Sequence, residues 1–353
     1  MTNNLITKDI STKKLYLKRV SNFIKRAYRE AAKENHPIVH KDLFLHSFGQ
    51  EEIEGLSLLN TVIWGCRNWS VIVSQDSWRS YRAAFNFIAE IYYETNFIDD
   101  KTYERIKSVL KKTNGMSKKD LEIKTSRRKQ KHFSIKDLKK VDDELKLSKS
   151  IWSVSTRVWL RAGILTGLRP VEWRKSILIE DDENIVLKVA NAKNTNNRAN
   201  GDFRHLYLNH LEENEINIIK NHLKICNNFS NSKETWDNYY NGCSNLLRQK
   251  TRSVFPNREK FPTLYSTRHQ FSANSKASGC RPEELASLMG HATDLTAQMT
   301  YGKKIHGTRG RKPKINDLEL STVRKHKKTL KYQEFSFTQK SKNKVKSTKN
   351  KNK

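Results

Sequence analysis

A mainly helical chain of two domains, with one small β-hairpin or sheet, is the fold class the sequence predicts, and three observations predict it. Residues 77–93 (SWRSYRAAFNFIAEIYY) carry Trp78, Tyr81, Phe85, Ile88 and Tyr92 at helical spacing. Residues 155–166 (STRVWLRAGILT) repeat that spacing and stop at Gly167, which suits the left-handed residue that ends a helix. Residues 185–208 (IVLKVANAKNTNNRANGDFRHLYL) read instead as two alternating strands around an Asn-rich turn. At 353 residues the chain is long enough for each of two domains to bury its own core.

Residues 1–50 are basic and amphipathic in places but irregular. From Glu51 to about Lys112 the chain reads as helical, its aromatic stripe serving as core. Arg79 and Arg82 fall off that stripe and are free to meet a phosphate. Residues 113–133 are rich in Lys and Arg and poor in apolar residues, which makes an exposed linker; Arg127, Arg128 and Lys129 stand in its KTSRRKQKH run. SIKD at 134–137 is a capping-box pattern that opens the second domain, 134–305. After it, 306–353 is a basic tail in which 315–332 has the pattern of one helix and the last residues, KSKNKVKSTKNKNK, are too polar to fold.

Within the second domain, charged residues lie at element ends. Arg169 sits between Gly167 and Pro170, and proline favours the first turn of a helix, where free N–H groups attract anions. A guanidinium there can hold two phosphate oxygens through parallel hydrogen bonds, with Glu172, three residues on, placed to orient it. In 264–271 (LYSTRHQF), Ser266 is the expected cap, and Arg268 falls in the first turn, aimed at the same kind of anion-binding end. Residues 282–289 (PEELASLM) form a short helix pattern with proline first, acids in the first turn and Gly290 at the stop. His291 is the next residue out, and a further short helical stretch from Thr293 leads to Tyr301.

Composition narrows the partners. Lys and Arg number 68 against 37 Asp and Glu, a formal charge of +31 that points to a polyanion and to salt-dependent affinity. There is no P-loop and no GxGxxG between strand and helix, so no nucleotide cofactor is expected. Cys66, Cys226, Cys243 and Cys280 lie far apart without a CxxC pair, and Pro37 separates His36 from His40, so no metal site is expected either. Sparse cysteines fit a reducing cytoplasm. The apolar run 61–72 is broken by Arg67 and Asn68, and the start MTNNLITKDISTKK lacks the apolar core of a signal peptide, so no membrane association is expected.

TGLRPVEW at 166–173, YSTRHQFSANSKASG at 265–279 and ELASLMGHATDLTAQMTY at 284–301 together resemble the two motif boxes of the tyrosine recombinases, also called the phage integrase family. The order is the same: Arg, then a second Arg, then Leu or Met-Gly-His, then Tyr. The resemblance covers residues 134–305 well and the N-terminal third weakly. It implies that Tyr301 is the nucleophile, that Arg169 and Arg268 clamp the scissile phosphate, and that His291 transfers a proton or hydrogen-bonds the phosphate. The family also uses a lysine near a hairpin tip, which selects Lys193 over Lys188 as proton donor to the leaving 5′ oxygen. Its second box usually begins with His three residues before the arginine; Tyr265 stands there and is read as a phosphate hydrogen-bond donor in the same role. His269 is expected to point about 100° away from Arg268 and to take no part.

The same resemblance implies a two-domain DNA clamp with the tyrosine-recombinase catalytic fold, in which 51–112 is the core-binding domain and 1–50 an accessory DNA-binding segment. Linker residues Arg127, Arg128 and Lys129, with Arg79 and Arg82, would touch the DNA backbone. The implied activity is metal-independent site-specific recombination that integrates or excises a mobile element without a cofactor. Its implied partners are double-stranded DNA, copies of the same chain up to a synaptic tetramer, and a DNA-bending helper protein. The implied setting is the nucleoid, and 315–332 is the segment passed to a neighbouring subunit. Two other readings share features with this one: a type IB topoisomerase, which the LMGH box disfavours, and a non-catalytic DNA-binding protein derived from the family, which Tyr265 keeps open.

Overall fold

The computed structural model describes residues 10–33, 55–117, 129–192, 200–296 and 301–326. The chain divides into two units, Met1–Lys124 and Thr125–Lys353, with the division inside the basic stretch expected to link them. Among the described residues, no helix is long and apolar enough to cross a membrane.

The first unit contains α1 (Ile10–Lys33), α2 (Gly55–Trp64), α3 (Gln75–Glu94) and α4 (Asp100–Lys112). Side-chain caps start two of them: Ser74 accepts from the Ser77 N–H at 3.2 Å, and Asp99 from the Thr102 N–H at 2.8 Å. In α3, Trp78, Phe85 and Ile88 are buried, with Tyr81 and Tyr92 half-buried beside them, so the aromatic stripe is core. The described part of the N-terminal segment joins the same core. Val20, Phe23, Ile24 and Ala27 of α1 are buried, and the Phe23 ring meets Trp64, Trp69, Tyr81 and Phe85 at centroid distances of 5.8, 6.1, 5.4 and 5.1 Å. Those four positions are helically spaced, but the lysines and arginines around them dilute the signal in the sequence.

The second unit is built from α5 (Ile135–Lys146), α6 (Ser153–Thr166), a sheet, α7 (Glu213–Asn227), α8 (Lys233–Val254), α9 (Ser266–Ala277), α10 (Pro282–Leu288) and the five-residue α11 (Asp317–Ser321). Its core centres on Trp159, stacked on Tyr239 at 5.2 Å, and on Trp173, whose ring meets buried His222 edge-on at 4.5 Å. Burial pushes the His222 pKa down to about 3, so this imidazole is a neutral packing group. The sheet has three antiparallel strands, β1 (Ile177–Glu180), β2 (Ile185–Ala190) and β3 (Phe203–Tyr207), in that order. The expected hairpin is β2 and β3; β1 is an added edge strand, mostly exposed, whose four residues are too few to show an alternating pattern. Inward along the hairpin run Leu187, Val189, Arg204 and Leu206, all buried.

Several local expectations change. Gly167 does end α6 with φ +67°, and a Cβ there would collide with the Phe271 ring of α9. Pro170, however, opens a 3-10 helix, Pro170–Lys175, not an α-helix. Ser266 does not cap α9; it is the first helical residue, with Tyr265 at the cap position. The Ser266 hydroxyl accepts from the Thr263 N–H at 2.9 Å and donates to the Gln130 carbonyl at 2.5 Å, so it fastens the unit's N-terminal segment. Residues 315–332 do not form one helix across their described part. After α11 the chain turns inward at buried Val323, and the Arg324 N–H donates to the Ala292 carbonyl at 3.0 Å, using on another segment the donor a longer helix would need. Residues 327–332 lie outside the described residues.

Truncating Phe23 removes one ring from four aromatic contacts. Phe23→Ala is expected to cost about 3–5 kcal/mol in the first unit, the range for Phe to Ala in a packed core. Urea unfolding followed by circular dichroism checks this, and an unchanged first-unit transition would place α1 outside that unit's cooperative core.

Candidate active site

The site is assembled around a buried carboxylate. Glu172 follows Pro170 by two residues in the 3-10 helix, and its chain is 1% exposed. One oxygen, Oε2, accepts from the Arg169 N–H at 2.8 Å and from Arg204 Nη2 at 2.8 Å. The other, Oε1, accepts from Arg169 Nη1 at 2.5 Å and from the Ala192 N–H at 3.3 Å. Arg268 Nη1 lies 3.7 Å from Oε2. Burial alone would raise the Glu172 pKa, but Arg204, Arg268 and Arg169 outweigh it and hold the carboxyl ionised far below the usual range. Three guanidinium groups thus share one carboxylate, and a net positive charge is left in a buried place.

Arg268 is fully buried on the first turn of α9. It is not aimed freely at a helix N-terminus. Nη1 donates to the Gly167 carbonyl at 2.5 Å and Nη2 to the Met289 carbonyl at 2.6 Å, the ends of α6 and α10. Nη2 also lies 3.0 Å from His291 Nε2. An arginine only donates, so Nε2 accepts and the His291 proton sits on Nδ1. Burial first, then the charges of Arg268, Arg169 and Arg204, push the His291 pKa down to about 2, so the imidazole is neutral. Its buried Nδ1–H has no hydrogen-bond partner among the described residues. An unpaired buried donor costs about 1–3 kcal/mol, which an anionic oxygen would recover.

Tyr301 lies against this cluster. Its ring stacks on His291 at 5.1 Å, and the Arg268 guanidinium carbon stands 5.1 Å from its centroid. Its hydroxyl meets that of Tyr265 at 3.0 Å. Burial raises the Tyr301 pKa, but the Arg268 charge, the hydrogen bond with Tyr265 and the Arg169 charge lower it further, so the net direction is down. Tyr265 is pushed up to about 12, chiefly by burial. When the pair ionises, the negative charge therefore falls on Tyr301, with Tyr265 as the donor.

Of the residues singled out in the sequence, Arg169, Glu172, Tyr265, Arg268, His291 and Tyr301 meet here. Lys193 lies outside the described residues, as do Arg127 and Arg128. Lys188 stands over the Phe203 ring at 4.7 Å, on the outward face of the hairpin. Lys129 is exposed, bridged by its backbone to Phe261. In the first unit, Arg79 is exposed and pairs with Asp76 at 3.4 Å, and Arg82 is half-buried.

One exclusion is corrected. His269 does not point away from the site: its ring lies 5.0 Å from that of Tyr301 and 5.6 Å from that of Tyr265. The rotation of about 100° from Arg268 is real, but the 301–307 segment crosses α9 on that side, with Gly302 and Gly307 close enough that a Cβ would strike the carbonyls of His269 and Ala273. Burial, with Lys131, Arg268 and Lys276 nearby, lowers the His269 pKa to about 4, so it too is neutral. Arg204 and Asn191 were not anticipated. The available signal was an arginine in the inward row of β3, since a charge at an apolar position must be paired.

Glu172→Gln leaves three guanidiniums without their anion, and a broken buried pair costs about 3–5 kcal/mol. The folded pKa is depressed, so the stabilisation is full above the unfolded value near 4.3 and declines as pH falls below it. Urea unfolding is expected to show a deficit of that size at pH 7 that shrinks at pH 3.

No protein-family model matches the chain, and no curated protein does. Among solved structures, it is similar to the XerH site-specific recombinase bound to difH substrate in a pre-cleavage complex, at 12% identity and TM-score 0.38 over 70% of this chain and 74% of that one. It is also similar to a lambda integrase dimer bound to a COC′ core site, at 11% identity and TM-score 0.37 over 78% and 75%. A third is the Tn1549 transposon integrase in complex with a circular intermediate DNA, at 13% identity and TM-score 0.40 over 79% and 95%. All three are recombinases or integrases held on DNA.

Proposed function

We propose that this chain is a tyrosine recombinase, which cuts and rejoins DNA strands by site-specific recombination through a covalent 3′-phosphotyrosine intermediate. The observation that carries the reading is the meeting of Arg169, Arg268, His291 and Tyr301, from separate segments, around an excess of buried positive charge. Such an excess is costly in an empty protein interior and favourable once a phosphate enters.

In this reading Arg169 and Arg268 hold the non-bridging oxygens of the scissile phosphate, and His291 donates its free Nδ1–H to one of them. The Tyr301 oxygen attacks phosphorus; the O–P bond forms as the P–O5′ bond breaks. The phenol proton leaves to solvent, and the 5′ oxygen takes a proton from Lys193. Preplaced guanidiniums offset the charge that builds on the phosphate oxygens. A 5′ hydroxyl of another strand reverses the step, so the phosphodiester energy is kept in the phosphotyrosine and no nucleotide is consumed. Tyr265 acts as a donor at this centre, to the Tyr301 oxygen before attack.

Recombining two duplexes cuts four strands with one nucleophile each, which calls for a tetramer of this chain at synapsis. The substrate is duplex DNA of a mobile element, in the cytoplasm at the nucleoid, with a bending helper protein. Lys129, Arg127, Arg128, Arg79 and Arg82 are proposed phosphate contacts. A charge of +31 supports a DNA partner.

Purified protein mixed with nicked duplex from the DNA flanking its own gene should form a denaturant-resistant adduct that Tyr301→Phe abolishes. Salt-sensitive binding without any adduct would favour the non-catalytic reading, which the Tyr265 hydroxyl on Tyr301 motivates; relaxation of any supercoiled plasmid without recombinants would favour a topoisomerase. Because phenolate is the attacking form and the Tyr301 pKa is lowered, the adduct rate should rise with pH and level off below pH 10. Tyr265→Phe removes a donor to that phenolate and should move the rise to higher pH, with both profiles read from gel-quantified adduct.

A further inference from the structure

Tyr301 begins a segment that lies along α9, the helix that carries Arg268, and two adjacent stripes of that helix receive it. His269, Ala273 and Lys276 form one stripe, and Gln270, Asn274 and Ser278 form the next, turned by about 100°. On the first stripe, Gly302 lies so close that a Cβ would strike the His269 carbonyl and the Ala273 side chain, and Lys276 Nζ donates to the Gly302 carbonyl at 2.9 Å. On the second, Gln270 Nε2 donates to the His306 carbonyl at 2.8 Å, and Asn274 Oδ1 accepts from the Thr308 N–H at 3.0 Å. Ser278 Oγ accepts from the Gly310 N–H and donates to the Gly310 carbonyl, both at 3.0 Å. Gln270 also binds Asn274 Oδ1 at 2.8 Å and accepts the Phe133 N–H at 2.9 Å, so it serves the fold as well as the segment. Four side chains of one helix thus hold residues 302–310.

Lys276 is the member of this set nearest the nucleophile. Its side chain is half-buried, and burial pushes its pKa down to about 8. Ordering a lysine side chain costs about 1.5–2 kcal/mol, so its contact has to repay that entropy. The contact it makes is with the carbonyl of the residue that follows Tyr301. Tyr301's ring stacks on His291, which fixes the plane of the phenol more than its reach; the backbone anchor at the next residue sets how far the oxygen extends. Arg268 and Lys276 are eight residues apart on α9, a rise of about 12 Å along one rigid element. A guanidinium and the anchor of the tyrosine segment are therefore registered by a single helix.

We propose that Lys276 is a positioning residue for the nucleophile: through the Gly302 carbonyl, with the Asn274 and Ser278 contacts behind it, it seats the Tyr301 segment on α9 so that the phenol oxygen stands in line with a phosphate held by Arg268. This rests on the function proposed above. Lys276→Met tests it with little disturbance, because the apolar stem is kept and the donor to Gly302 is lost.

The experiment measures single-turnover adduct formation by the full chain on a nicked duplex from the DNA flanking its own gene. Protein concentration is varied, so that the saturated rate is read separately from the half-saturating concentration and from the final adduct yield. Because a misplacement of about 1 Å can cost about 10²-fold, the saturated rate of Lys276→Met is expected to fall about tenfold or more, with half-saturation and yield close to wild type. Lys276→Arg, which restores a donor, should return the rate to near wild type. Asn274→Ala, which loses the acceptor for the Thr308 N–H, should slow the same step without moving half-saturation. An unchanged saturated rate in Lys276→Met, a defect confined to half-saturation or to yield, or an arginine variant as slow as the methionine one overturns the proposal. Where a thermal melt shows Lys276→Met to be unfolded, Asn274→Ala decides, and an unchanged saturated rate in that variant overturns the proposal. Wild-type protein that forms no adduct overturns the recombinase reading itself, a result distinct from any of these.

Discussion

The second unit depends on the pairing of one carboxylate, Glu172, with Arg169, Arg204 and Arg268. Two unit charges about 4 Å apart interact by about 4 kcal/mol at an effective dielectric near 20, so three such pairs can hold a carboxylate ionised despite its burial. The arrangement is unequal by design of its charges. One anion cannot neutralise three cations, and the remainder leaves the cluster with a net positive charge. Removing the anion would harm fold and site together, because the same two oxygens also accept the backbone N–H groups of Arg169 and Ala192.

Helix ends supply what Glu172 does not. Arg268 binds the carbonyls of Gly167 and Met289, where α6 and α10 stop and their unsatisfied carbonyls carry partial negative charge. Both stops involve a glycine at positive φ, Gly167 and Gly290, which turns the chain sharply and leaves the last carbonyls facing the guanidinium. Two helix terminators thereby become ligands of the buried arginine. The same turns set Leu168 into the core and bring His291 Nε2 within 3.0 Å of Arg268. Local backbone chemistry and site geometry are one feature in this part of the chain.

Around Tyr301 burial favours the neutral form of every group, and positive charge favours the ionised form of the phenols and the neutral form of the imidazoles. Charge prevails for Tyr301, burial prevails for Tyr265, and burial and charge act together to keep His291 and His269 neutral. Tyr301 is thereby the phenol of the pair that ionises more readily, set among neutral imidazoles and cations. Tyr265 fits this balance: a phenol that keeps its proton can stabilise a neighbouring phenolate by donating to it, without adding a charge.

Much of this was legible in the chain alone. Periodicity marked α3 and α6, glycine marked the stops at 167 and 290, and the order of Arg169, Arg268, His291 and Tyr301 marked the residues that converge. Such features are local, since a helix stripe or a terminator expresses the conformational preference of a few residues. The misreadings were of another kind. Ser266 has the chemistry of a cap, but its hydroxyl is claimed by Gln130 and Thr263; the 315–332 pattern is helical, but Ala292 takes the N–H of Arg324. His269 lies on the expected side of α9, yet that side is covered by the 301–307 segment, and Arg204 is drawn inward by Glu172, a residue 32 positions away. The sequence by itself determined which segments are helices or strands, where most of them stop and which charged residues stand at their ends. Only the tertiary structure decided which donors and charges are spent on one another, because those pairings join positions far apart in the chain and their strength depends on burial that no local pattern contains.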